Sequence, residues 1–400
     1  MIQSLALFFI PVAMFLVVSM EFFGAIHITE VSILGGVLSF IAAGILFLLR
    51  LPQMTIQIRY PERVERVSFV ISLFVIVYFI WTISYFGPPP IWGVLTGTYI
   101  DPEALFGNYS RKFPFRVTVT AFVLVQGMMV WIFLSGQKTC LHFINRFMTG
   151  LSFLLIAGVM EVRHPILWFV LYYICYRFHN INVLFRTLFS RKMIFLMGVF
   201  LLIWQIFVMA GSIRSGMDPT DFLAVDLAQG FRMDPAYWYL PGALVWAIIY
   251  LFGGFARGMD IATNMEFFNL FLPKNIFPSF LSFIPEELRL LPPVATDRFS
   301  AQAMAIDAFH TLCFNYGIVF GILIFLFQII AFIYITIYMY QRFQKGKDTG
   351  CFLYALFLWL GVRILLLPIG SYFLSFNAEI ELLILCFFFY IAGLKVSKAS

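Results

Sequence analysis

Long apolar blocks alternate with short polar connections along this chain, and the blocks have the length of bilayer-crossing helices. About 20 mostly apolar residues cover the roughly 30 Å of hydrocarbon in a membrane. Such blocks fall at 4–22, 31–49, 67–87, 117–135, 147–161, 165–177, 193–210, 314–340, 351–372 and 379–394. The fifth and sixth are short and meet at "MEVRHP", which predicts a tight helical hairpin. The first has neither a basic leading segment nor a small-residue cleavage site behind it, and it reads as a retained span. The pattern predicts an all-α polytopic protein of about ten spans, a single integral membrane domain over 1–400.

The segment 211–313 breaks the alternation. A loop of that length is functional more often than connective. Inside it, "LPGALVWAIIYLFGGFA" at 240–256 is apolar enough to enter the bilayer. If it crossed, a second crossing would be needed to restore the parity of the loops that follow. The one candidate, 265–284, is broken by Pro273, Lys274 and Pro278. The expectation is therefore a large outer-side loop holding a re-entrant or in-plane helix, with twelve spans as the alternative.

Charge adds orientation. Placing the N-terminus in the cytoplasm puts Arg50, Arg59, Arg63, Arg66, Lys138, Arg146, Arg177, Arg186, Arg191, Lys192, Arg342, Lys345, Lys347, Lys395 and Lys398 on that side. Only Glu62, Glu65 and Asp348 accompany them, so both termini are expected to be cytoplasmic. Composition agrees: 62% of residues are apolar and 12% charged, about half the charge of a soluble domain. The net charge of +6 comes from loops beside apolar blocks and is no sign of nucleic-acid binding. Cys140, Cys175, Cys313, Cys351 and Cys386 are an odd, scattered set, with neither a disulfide framework nor zinc-ligand spacing.

Candidate chemistry is concentrated on the side expected to face outward. Glu161, Arg163 and His164 stand at the tip of the short hairpin, where a guanidinium can grip a phosphate with two parallel hydrogen bonds. Arg214 follows the seventh block in "AGSIRSGMDP" among small residues that would let a ligand approach the backbone. Ordinary snorkelling to the interface is the plainer reading of these arginines. "TDRFSAQAMAIDAFHTLCFNYGIVFG" holds Asp297, Arg298, Asp307 and His310, and the last two share a helix face three residues apart. A carboxylate orienting an imidazole is a general-base arrangement, although an inert polar helix start would look the same. Arg363, in mid-block, is either functional or paired with Glu379 or Glu381. There is no phosphate-binding loop, dinucleotide fingerprint, nucleophile elbow or zinc-protease helix motif.

In layout the chain resembles the bacterial oligosaccharide repeat-unit (O-antigen) polymerases of the Wzy type. "LLIAGVMEVRHPILWFVLYYICYRF" is similar to that family's short helix, arginine turn and following helix, with Arg163 on the arginine. "IFVMAGSIRSG" is similar to its span end, with Arg214 matching. "AFHTLCFNYGIVFGILIFLF" is similar to the stretch where Gly317 and Gly321 open the next span. The resemblance extends to the O-antigen ligases, but their histidine stands further ahead of the first glycine than His310 does.

The resemblance implies a membrane glycosyltransferase of GT-C-like character in the bacterial inner membrane. Its substrates would be undecaprenyl-pyrophosphate-linked oligosaccharides, joined into surface polysaccharide at the periplasmic face. Arg163, His164, Arg214, Arg257 and Arg298 are then the candidate contacts to pyrophosphate and glycan, and the general base is one of His310, Asp307 and Asp297. Tyr237, Trp238 and Tyr239 are candidates for stacking on sugars. Arginines that neutralise the pyrophosphate make a metal or other cofactor unnecessary. A chain-length regulator is a further expected partner, besides the lipid bilayer. Ligation, lipid-linked oligosaccharide flipping and membrane acyl transfer are the competing functions. A flippase would want internal repeats and charges lining a central path, whereas no clear repeat is found and the charged residues concentrate at the outer side.

Overall fold

The computed structural model describes residues 2–49, 54–86, 127, 140–160, 164–177, 225–263, 307–368 and 376–398. The protein is mostly helical, as the alternation of blocks requires. The helices are α1 (Gln3–Ser19), α2 (Glu30–Leu48), α3 (Pro61–Phe86), α4 (Cys140–Met160), α5 (His164–Arg177), α6 (Val225–Gly230), α7 (Gly242–Ala262), α8 (Ala308–Tyr316), α9 (Ile318–Gln344), α10 (Cys351–Leu366) and α11 (Phe376–Ile391). Of these, α2, α3, α7 and α9 are long and apolar enough to cross a membrane. The expected spans at 117–135 and 193–210 lie outside the described residues.

The chain forms two compact units interleaved in sequence. The first is Met1–Leu51, Phe178–Tyr334 and Arg363–Ser375; the second is Pro52–Arg177, Ile335–Val362 and Phe376–Ser400.

In the first unit α1 packs on α2, and the residue sizes on α2 explain how. Ser32, Gly35, Gly36, Ser39, Ala42 and Ala43 are buried on one face, while Ile33, Leu34, Val37, Phe40, Ile41 and Phe47 are exposed. Small residues inside and large apolar residues outside reverse the pattern of a water-soluble helix. The arrangement suits helices packing closely within lipid. On α9 the exposed Phe320, Leu323, Phe327, Ile330 and Tyr334 form a similar outward stripe. Residues Glu21–Thr29 connect α1 to α2 through left-handed backbone at Glu21 and Gly24. Phe22 of this connection stacks on Phe252 of α7 and lies 5.0 Å from the Tyr237 ring.

The eighth apolar block is expected as one helix over 314–340, but it breaks into α8 and α9 at Gly317, whose φ is +82°. A residue with a β-carbon is strained there, which explains why glycine ends α8. At Gly321 a β-carbon would stand 2.6 Å from both the N and Cα of Cys313. The two glycines thus do separate jobs: Gly317 turns the chain, and Gly321 lets the backbone of α8 lie directly on α9.

The re-entrant or in-plane helix expected at 240–256 is α7, a helix of 21 residues. It runs six residues past the expected end and is long enough to cross.

In the second unit α4 and α5 are the expected hairpin pair, with α4 starting at Cys140 rather than at 147. A two-stranded antiparallel sheet, not anticipated from the sequence, joins β1 (Met54–Gln57) to β2 (Lys395–Lys398), and Thr349 bridges to Val396 beside it. Glu65, expected as an ordinary loop charge, is buried: His142 Nδ1 lies 3.4 Å from its carboxylate, and Asn145 donates to its carbonyl at 2.9 Å.

Candidate functional site

The start of α8 carries a buried carboxylate and imidazole in contact. Helix N-termini leave four backbone N–H groups without intrahelical partners, and here all four are satisfied. Asp307 N donates to the Gly254 carbonyl of α7 at 3.4 Å, and Ala308 N donates to the Leu367 carbonyl at 3.0 Å. Phe309 N and His310 N donate to Asp307 Oδ1 at 3.1 and 3.2 Å. Asp307 is therefore the N-cap, and capping occupies only one of its oxygens. The other, Oδ2, accepts from His310 Nδ1 at 2.6 Å.

The opposite ring nitrogen, His310 Nε2, lies 2.9 Å from Ser32 Oγ on α2. Ser32 Oγ in turn lies 3.0 Å from Thr29 Oγ1, the N-cap of α2. The direction of this chain follows from its far end. A carboxylate only accepts, so Nδ1 carries the proton and a neutral Nε2 must accept. Ser32 then donates to His310, and Thr29 donates to Ser32. The result is an imidazole locked in one tautomer, its lone pair accepting from a hydroxyl. Ser32, Asp307 and His310 are at most 1% exposed.

The walls are tight. Gly258 of α7 faces the dyad: a β-carbon there would stand 2.6 Å from Asp307 Oδ2 and 2.7 Å from His310 Nδ1. Gly35 of α2 lies flat against the Phe309 ring, where a β-carbon would collide. These two glycines allow α2 and α7 to close over α8. Gly258→Ala is expected to push the carboxylate off the imidazole and to destabilise the protein by about 1–3 kcal/mol. A lowered thermal midpoint of the purified protein would check the cost.

Of the residues expected from sequence, Asp307 and His310 meet as the sharing of a helix face predicts. Arg257 is half-buried on α7, next in sequence to Gly258. His164 opens α5 in the other unit. Arg163, Arg214, Asp297 and Arg298 lie outside the described residues. Comparison of the chain with family models, curated proteins and solved structures finds no match.

Two of the three aromatics expected to stack on sugars already have structural tasks. Tyr237 OH donates to the Met20 carbonyl at 2.7 Å, and Trp238 Nε1 donates to the Met233 carbonyl at 2.9 Å. Tyr239 alone of the three is exposed, at 69%. Arg363, expected at the middle of an apolar block, is buried in α10 at 2% exposure.

Ser32 and Thr29 are the residues that sequence reasoning missed. "HITEVSILGG" does carry a capping signal, since Thr29 precedes an apolar run and Ser32 stands three residues on. Nothing in that spacing says that Ser32 meets a histidine 278 positions later.

Proposed function

We propose that this protein is a membrane glycosyltransferase that polymerises lipid-pyrophosphate-linked oligosaccharide repeat units at the outer face of the bacterial inner membrane. The observation that carries the reading is the buried Asp307–His310 pair, a base held in one tautomer at the foot of an apolar helix. In the reaction His310 is the base on which the proton of an acceptor sugar hydroxyl ends. The hydroxyl oxygen bonds to the anomeric carbon of the donor, and the lipid pyrophosphate leaves with the bonding electrons. Asp307 stabilises the imidazolium that forms. Arg163, Arg214 and Arg298 are the proposed pyrophosphate contacts, and Arg257, next in sequence to Gly258 on α7, is a further candidate.

The topology that belongs to this reading puts both termini in the cytoplasm. The small sheet agrees with one part of it, the placing of three segments on the same side. Residues 54–57, Thr349 and 395–398, drawn from three connections assigned to the cytoplasmic side, are hydrogen-bonded together. A sheet lies on one side of a bilayer, so an even number of crossings separates each of these segments from the next. Between 349 and 395 stand two apolar helices, α10 and α11, the even number that this reading requires.

The test is the surface polysaccharide of a strain deleted for the gene, resolved by length on a gel. Loss of the ladder, with a single repeat unit still on its lipid, is the expected result. Wild-type protein should restore the ladder, and His310→Ala, compared at equal protein level, should not. An unchanged ladder would sink the assignment, and loss of even the single unit would point to flipping or ligation.

One observation favours a second reading. Asp307, His310 and Ser32 are hydrogen-bonded in the order of a carboxylate, base and nucleophile. The geometry is that of acyl transfer through a serine ester. In that reading Ser32 Oγ attacks a carbonyl, and a fluorophosphonate would label Ser32 covalently.

A further inference from the structure

The four-membered chain Thr29–Ser32–His310–Asp307 raises a problem for any external acceptor: the base's lone pair is already engaged. His310 Nε2 faces Ser32 Oγ at 2.9 Å, and neither residue is exposed. An acceptor hydroxyl that reached Nε2 directly would have to displace a buried serine fixed in the first turn of α2. The open end lies elsewhere. Thr29 alone among the four is only half-buried, and its neighbours Ile28 and Glu30 are exposed. The chain of hydroxyls thus leads from the surface of the α1–α2 connection inward to the base.

We propose that Ser32 is the group that receives the acceptor's proton and relays it to His310. The inference rests on the glycosyl-transfer reading above. A sugar hydroxyl takes the place of the Thr29 hydroxyl as donor to Ser32 Oγ. As its oxygen bonds to the anomeric carbon and the carbon–pyrophosphate bond breaks, its proton passes to Ser32 Oγ. In the same event the serine's own proton passes to His310 Nε2. Ser32 ends as it began, a neutral hydroxyl. His310 ends as an imidazolium paired with the Asp307 carboxylate, and the pyrophosphate departs with the electron pair. Two protons move, so removal of Ser32 affects the chemistry far more than the holding of the substrate, which loses one hydrogen bond. Ser32 also ties α2 to α8, and a structural tie alone would leave the proton-transfer signature of the reaction unchanged.

The experiment uses the full-length protein in lipid nanodiscs with a synthetic lipid-pyrophosphate-linked repeat unit. Rates are measured across mixtures of light and heavy water. For the wild type, a curved dependence of kcat on deuterium fraction is expected, as two moving protons require. Ser32→Ala should lower kcat on the order of 10²-fold, leave KM within about twofold, and make the dependence linear. Ser32→Cys keeps a transferable proton at nearly the same place and should retain curvature. If Ser32→Ala fails to fold, the cysteine variant decides alone: curved dependence with activity supports the relay, and a folded but inactive protein overturns it. Ser32→Ala at wild-type kcat, an unchanged curve in that variant, or fluorophosphonate labelling of Ser32 in the wild type would each overturn it as well. The two claims fail separately. A wild type that makes no polymer sinks the functional reading and the relay with it. A His310-dependent wild type indifferent to Ser32→Ala sinks the relay alone.

Discussion

Asp307→Asn is expected to abolish polymer formation while leaving the protein folded. An asparagine oxygen can still accept from Phe309 N and His310 N, so the cap of α8 survives. The other side-chain atom becomes an amide nitrogen, which donates where the carboxylate accepted. His310 Nδ1 must then accept, its proton moves to Nε2, and the lone pair facing Ser32 disappears. The base is inverted without being removed. A loss of roughly 10²–10⁴ in kcat follows from removing a general base, with a thermal midpoint close to that of the wild type. Asp307→Ala adds a structural defect, because the cap goes too: about 0.5–2 kcal/mol for the cap and about 1–3 kcal/mol for buried donors left without acceptors. The comparison separates chemistry from stability. Equal activity in Asp307→Asn and wild type would remove the dyad from the mechanism.

Gly321→Ala is expected to damage the fold most among single-methyl additions. The β-carbon would come 2.6 Å from the Cys313 N and Cα and 2.7 Å from the Leu312 carbonyl carbon. All three are main-chain atoms, so no rotamer change relieves the contact. α8 must move off α9, and its N-terminus carries Asp307 and His310 with it. The direct cost of overpacking is typically about 1–3 kcal/mol. The indirect cost is loss of the hydrogen bonds to α2 and α7. Low yield of folded protein from membranes, with no polymer, is the expected outcome. By contrast Gly44 and Gly150, which have open space at the β-carbon position, should accept alanine without loss. A Gly321→Ala protein with wild-type midpoint and activity would show that α8 and α9 do not pack as described.

The sequence alone determined the helical, membrane-suited character of the protein and most of its helix positions. Hydrophobic blocks of bilayer length are a local property, legible by counting, and α2, α3, α7 and α9 stand where the blocks stand. The Asp307–His310 pair was legible too, because residues three apart at the start of a helix lie on one face whatever surrounds them. Gly317 and Gly321 stood out in the sequence only through resemblance; their separate physical tasks needed the α8–α9 turn to become visible. The apolar block there could not reveal its break, since hydropathy is blind to a single left-handed residue.

Only the tertiary structure decided what faces the base. Ser32 lies on the small-residue face of α2, and Gly35 and Gly258 bring α2 and α7 up to α8. These contacts join residues far apart in the chain, and no spacing rule links them. The sheet of β1 and β2 escaped sequence reading for the same reason: four-residue strands carry little pattern, and their pairing joins Met54 to Lys398. Local periodicity sets which segments are helices, because backbone hydrogen bonding and side-chain period act over a turn or two. Which side chains meet is set by packing between helices, and that depends on residues the local pattern does not relate.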